Sequence, residues 1–320
     1  MSLPIVVFLD RTTVPPHIVF PHLPFDHQWI EYDTTPPDKI VERLCSAHIV
    51  ITNKVSLNEA VLSQLPHLEM IAVCATGYNN IDIPYCQKQG IAVANVRGYA
   101  TQSVPEHVIA LMFALRRNLQ GYHNDIMNGE WQREKQFCFF THPIGDIAGS
   151  TMTIIGSGEL GQATAALARA LGMTVIFAER KGINTCRDGY MPFEQALMVA
   201  DVISLHCPLN DETYHVIGDS ELRQMKPNVI VINTGRGGLV DEHALVTALK
   251  EKRIGAAGVD VFSQEPADES NPLIAHADLA NLLLTPHVAW GSDSAIQKLA
   301  NIVMDNIGAF KQGVNKNRVL

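Results

Sequence analysis

Short β-branched runs alternate along this chain with segments whose apolar residues recur at helical spacing. That alternation is the sequence mark of parallel strands joined by crossover helices. In the first hundred residues the runs fall at 5–10, 29–32, 49–52, 70–75 and 91–95, with helices predicted at 37–46 and 83–89. A long apolar-periodic stretch follows at 104–128, with Pro105 near its first turn, where a missing N–H costs little. The pattern restarts after Gly149, with runs at 152–155, 174–178, 202–206, 229–233, 256–261 and 282–284. A last helical segment, 292–313, has no strand of its own and is predicted to pack back on the N-terminal part. The expected fold class is α/β, with two doubly wound parallel-sheet domains. One is discontinuous, residues 1–98 and 290–320, and the other, 99–289, is inserted in it.

Composition narrows the function classes. A chain of 320 residues, 47% hydrophobic and 18% charged, can bury a core in each domain. A net charge of −9 without a basic run argues against a nucleic-acid partner, whose phosphates call for basic excess. Cys45, Cys74, Cys86, Cys138, Cys186 and Cys207 have neither metal-site nor redox-motif spacing, so free thiols in a reducing compartment are expected. The chain enters its first apolar run without a basic leader, and no apolar stretch reaches the length of a membrane span. A cytoplasmic protein with a small-molecule substrate and no membrane partner is the resulting expectation.

The first chemical signal is Gly156-Ser157-Gly158-Glu159-Leu160-Gly161, placed between a predicted strand and a predicted helix. In that position Gly156 allows a tight turn and Gly158 lets backbone approach a pyrophosphate. Gly161 permits close helix–strand packing, and the helix start offers N–H groups to phosphate. The next strand ends at Glu179, where an acid can bind a ribose 2′-hydroxyl and repel a 2′-phosphate. NAD is therefore expected as cofactor. Arg180, beside it, pulls the other way and keeps NADP open.

Ligands of open α/β sheets bind beyond the carboxyl ends of the strands, so the residues there are the candidates for a site. The run at 229–233 leads into Thr234-Gly235-Arg236, that at 256–261 towards Glu265-Pro266, and that at 282–284 into Pro286-His287. Each residue alone has a structural explanation: a solvated cation, a turn acid, a packed imidazole. Together at one sheet edge they suit hydride transfer to a 2-keto acid. Arg236 can fork onto a carboxylate, His287 can exchange a proton with the alkoxide, and Glu265 beside it favours the imidazolium.

The chain resembles the D-isomer-specific 2-hydroxyacid dehydrogenase family, through Gly156–Gly161, Asn233-Thr234-Gly235-Arg236-Gly237-Gly238, Gly258-Val259-Asp260-Val261 to Glu265-Pro266, and Thr285-Pro286-His287. Ser103 to His107 and Pro286 to Trp290 place it near the glycerate dehydrogenase/hydroxypyruvate reductase branch. The resemblance implies a Rossmann NAD-binding domain at 99–289, inserted in a flavodoxin-like substrate-binding domain at 1–98 and 290–320. It implies Arg236, Glu265 and His287 as the catalytic set, and Thr76 and Gly77 as backbone partners of the substrate carboxylate. Thr101, Cys207, Pro208, Thr213, Thr234 and Asp260 are implied as further cofactor contacts, and a homodimer as the assembly. D-glycerate/hydroxypyruvate is the expected substrate pair. Glyoxylate or broader keto-acid reduction is the alternative, and a corepressor-like nucleotide-sensing scaffold a more distant one. Family members acting on phosphoglycerate carry an Arg that aligns here with Val50, which favours an unphosphorylated substrate.

Overall fold

A computed structural model describes residues 3–183 and 185–320. The chain divides into two compact units, Met1–Ala100 with Gly291–Leu320, and Thr101–Trp290.

The first unit carries β1 (Ile5–Phe8), β2 (Gln28–Glu31), β3 (Ile49–Thr52), β4 (Met70–Val73) and β5 (Ala92–Ala94). They form a parallel sheet in the order β2-β1-β3-β4-β5. Strands buried on both faces need continuous apolar runs rather than alternation, and every residue of β3, β4 and β5 is buried. The helix Asp293–Lys311, capped by the Ser292 side chain on Ala295 N, belongs to this unit. Ile296, Leu299, Val303 and Ile307 share its buried face, and each contributes about 1.5–3 kcal/mol of burial.

The second unit carries β6 (Thr151–Ile155), β7 (Thr174–Ala178), β8 (Tyr190–Met191), β9 (Val202–Leu205), β10 (Ile230–Asn233), β11 (Ala256–Val259) and β12 (Leu282–Leu284). The order is β12-β11-β10-β9-β6-β7-β8, parallel throughout. The direction of winding reverses between β6 and β9, the crevice where such sheets take ligands. Six of these strands stand where the hydrophobic pattern puts them. β8 is new: two residues after a polar loop leave no periodicity to read.

The predicted 104–128 helix is two, Ser103–Arg116 and Leu119–Met127, broken at Asn118 in the left-handed region (φ 48°). Apolar spacing continues through the break, so periodicity could not reveal it. Val108, Leu111, Met112 and Leu115 of the first helix are interior to this unit's core. Val50, the position aligned with the phosphate-binding Arg, is fully buried (0%) within β3. The loop after that strand is instead Asn53-Lys54, so Val50 carries no information about a substrate phosphate. All six cysteines are free thiols. Among the described residues no helix is long and apolar enough to cross a membrane.

Candidate active site

The glycine turn joins β6 to the helix Glu159–Ala170. Gly156 has φ +102°, and a Cβ there would lie 2.5 Å from Cys207 N. A Cβ on Gly161 would lie 2.0 Å from Gly156 O, so the helix reaches the turn only through glycine. Gly158 differs, because nothing lies within 4 Å of its would-be Cβ. It is the helix N-cap and no side chain caps the helix, which leaves backbone N–H groups for an anion. Glu159 is exposed and Leu160 half-buried. Two tight glycines and an open third, ahead of uncapped N–H groups, fit a dinucleotide pyrophosphate.

Glu179 follows β7 and is 3% exposed. Its carboxylate accepts N–H bonds from Arg180 N (2.8 Å) and Arg187 N (3.0 Å). It also accepts from Arg187 Nε (2.9 Å) and Arg187 Nη2 (2.8 Å). The Arg187 guanidinium, then the backbone N–H groups of Arg187 and Arg180, pull the carboxyl down to about 2. Arg187 lies over the Tyr190 ring, Cζ 3.9 Å from the centroid, and the Tyr190 hydroxyl donates to Ser157 Oγ within the glycine turn. Arg180 is exposed.

The strand-end trio sits on three loops of the same unit. Arg236 is half-buried; Nη1 donates to Gly235 O (2.7 Å), and its carbonyl accepts from Asn233 Nδ2 (2.8 Å). Five donors belong to a guanidinium, so most of the fork remains for a ligand. A Cβ on Gly237 would lie 1.9 Å from Phe262 C, so the Arg236 loop packs directly on the Phe262 backbone. Glu265, in that second loop, accepts Phe262 N (3.0 Å) on one oxygen and faces His287 Nδ1 at 2.6 Å with the other. His287 is itself in the left-handed region, φ +55°. Its N–H donates to Asp260 O at 2.7 Å. A side chain with φ above zero costs roughly 1–3 kcal/mol and persists where the surroundings impose it.

The imposing group is Asp260, 0% exposed, whose carboxylate accepts Val288 N (2.9 Å), Ala289 N (2.9 Å) and Thr285 Oγ1. His107 extends the network, Nε2 at 3.0 Å from Thr285 Oγ1. Asp260 thus fixes the His287 loop from below. Glu242 does the same for the neighbouring loop, accepting Ser263 N and Ser263 Oγ (both 2.7 Å) and Asn271 Nδ2 (2.8 Å).

The other predicted contacts are distributed as follows. Thr234 follows β10 with Oγ1 buried and without a hydrogen-bond partner among the described residues, an orphan that suits a ligand. Cys207 is half-buried beneath the glycine turn, while Pro208 is exposed beside it. Thr213 donates to Pro208 O (2.7 Å) and accepts from Asn210 N (2.8 Å), closing a polar turn. Thr101 is half-buried in the turn before Ser103–Arg116. Thr76 and Gly77 lie in the other unit, after β4. There Asn95 Nδ2 donates to Thr76 O and Thr76 Oγ1 donates to Val96 O, both at 2.7 Å. Sequence reasoning missed Arg187, Glu242 and His107. Only Arg187 left a signal, as a further cation in the loop after Glu179.

A parallel sheet with a glycine turn at its switch point, and an Arg, a Glu–His pair and an orphan Thr at its strand ends, defines a nicotinamide-dinucleotide oxidoreductase. The comparisons with known proteins give the family. Residues 109–289 match the model described as D-isomer specific 2-hydroxyacid dehydrogenase, NAD binding domain. A glycerate dehydrogenase from Methylorubrum extorquens is 48% identical over 315 residues, 98% of each chain. A D-lactate dehydrogenase from Aquifex aeolicus, solved with NAD and lactic acid, superposes with TM-score 0.79 at 25% identity, covering 97% of this chain and 96% of that one. An NADPH-dependent glyoxylate/hydroxypyruvate reductase from Sinorhizobium meliloti, solved with citrate, superposes with TM-score 0.81 at 25% identity, covering 99% and 97%. The chain belongs to the D-isomer specific 2-hydroxyacid dehydrogenase family. It is a dehydrogenase that uses a nicotinamide dinucleotide.

Proposed function

We propose that this dehydrogenase interconverts D-glycerate and hydroxypyruvate with NAD(H). The observation that carries the chemistry is the 2.6 Å pairing of Glu265 with His287 Nδ1, on a backbone held left-handed by Asp260. Glu265 accepts the Nδ1 proton and so leaves Nε2 to face substrate. Arg236 receives the substrate carboxylate in its fork and polarises the adjacent carbonyl. His287 Nε2 delivers a proton as the carbonyl becomes an alkoxide, and removes it in the reverse direction. The nicotinamide, when bound, supplies or accepts the hydride. Gly156, Gly158, Glu159, Leu160 and Gly161 hold its pyrophosphate, Glu179 and Arg180 flank its adenosine ribose, and Thr101, Cys207, Pro208, Thr213, Thr234 and Asp260 line the remainder or support that lining.

The substrate reading rests on the 48% identical relative named glycerate dehydrogenase. Its test is NADH oxidation with hydroxypyruvate, glyoxylate, pyruvate and 3-phosphohydroxypyruvate. The highest kcat/KM is expected for hydroxypyruvate; preference for glyoxylate or the phosphorylated acid overturns the substrate, and no turnover overturns the enzyme reading. Six free thiols support a cytoplasmic site of action, and the net charge of −9 supports the absence of a nucleic-acid partner. A homodimer is supported by apolar side chains standing in water between residues 119 and 140, among them Met127, Phe137 and Phe140.

A further inference from the structure

A carboxylate offers about four lone-pair directions. At Glu179 four N–H groups already point at it: Arg180 N, Arg187 N, and Nε and Nη2 of the Arg187 guanidinium. A ribose hydroxyl arriving there finds the acid engaged. Two of the donors are backbone and stay with the loop. The other two belong to a side chain 51% exposed and resting on the Tyr190 ring, free to pivot towards water. Tyr190 in turn bonds Ser157, so acid, guanidinium and glycine turn form one connected assembly. Arg180, next in the chain, is exposed and gives the carboxylate only its backbone N–H, so its guanidinium is a second cation in the same loop. A lone carboxylate repels a 2′-phosphate; one forked by an arginine does not, and the pair carries spare donors outward.

We propose that Arg187 is a cofactor-specificity residue: by occupying Glu179 it opens the ribose position to a 2′-phosphate, so that the chain binds NADP(H) as well as NAD(H). The phosphate is received by Arg187 and Arg180, whereas the 2′-hydroxyl of NAD(H) displaces the guanidinium and takes Glu179. This rests on the reading of Gly156–Gly161 as the dinucleotide turn.

The experiment is calorimetric titration of the full chain with NADH and with NADPH, without substrate. Wild type is expected to bind both within about tenfold, with NADPH weakened more by salt. Arg187→Ala bares the Glu179 charge: NADPH should weaken by about 10- to 100-fold while NADH binds at least as tightly. Glu179→Gln should do the reverse, weakening NADH and sparing NADPH. Arg187→Lys, which keeps charge but loses the fork, should fall between and carries the test if the alanine variant does not fold. Absence of NADPH binding to wild type, or an NADPH:NADH ratio unmoved by either Arg187 variant, overturns the proposal while the dinucleotide reading stands. Failure of both nucleotides to bind wild type overturns the two together.

Discussion

At the scale of single residues the candidate site is a set of side chains that other side chains hold in place. The proposed mechanism needs His287 Nδ1 fixed, and Glu265 sits 2.6 Å from it. His287→Ala should therefore lower kcat by about 100- to 10,000-fold with NADH binding retained, measured by steady-state turnover and titration. Turnover near wild type would remove His287 from the mechanism. A second residue-scale prediction concerns His206, bonded to Ser204 Oγ (2.9 Å) beside the glycine turn. Burial pushes its imidazole from 6.5 down to about 4. Between those values the unfolded chain binds the additional proton, so this residue's contribution to stability is present above 6.5 and lost as pH falls towards 4. His206→Gln lacks that proton uptake. Its melting temperature should fall less steeply than that of wild type across the same window, and parallel slopes would refute the assignment.

At the scale of elements, the glycines divide into those the fold needs and those a ligand needs. Gly237 lets the Arg236 loop lie on the Phe262 backbone, where a Cβ would be 1.9 Å from a carbonyl carbon. Gly158 has open space instead, at an ordinary φ of −68°. Gly237→Ala should lower the melting temperature by several degrees, whereas Gly158→Ala should leave it within about 2 °C and weaken NADH binding. Equal thermal losses would erase the distinction. The same division explains what could be read before the structure. Strands β3 to β7 and β9 to β12 are apolar runs between turn residues, and Arg236, Glu265 and His287 lie in the loops that follow them, so pattern alone points to these positions. Glu242 and His107 reach the site from helices distant in sequence, and spacing carries no trace of such a contact. Glu179 was legible as an acid after a strand. Its capture by Arg187 depends on how the intervening loop folds, which charge and periodicity do not encode.

At the scale of the whole molecule, one stretch of chain breaks the usual rule for apolar groups. Phe137 is 94% exposed, Phe140 78% and Met127 72%, with Leu119, Ile126 and Trp131 also exposed nearby in sequence. Local order is present all the same: Tyr122 packs edge-on to Phe139, its hydroxyl donates to His142 O (2.7 Å), and Trp131 Nε1 donates to Gln136 O (2.9 Å). A structured segment with its aromatic side chains turned to water costs about 25 cal/mol for each Å² of apolar surface left uncovered. A second copy that covers about 800 Å² on each partner would recover that cost. The helix Ser103–Arg116 is not the source of this surface, because its apolar face at Val108, Leu111, Met112 and Leu115 is spent on the core. Light scattering coupled to size exclusion should therefore give a dimer at micromolar concentration. Replacing Met127, Phe137 and Phe140 together by Ser should give a folded monomer, because none of the three contributes to a core. A wild-type monomer would refute the homodimer, and a triple variant still dimeric would place the interface elsewhere on the chain.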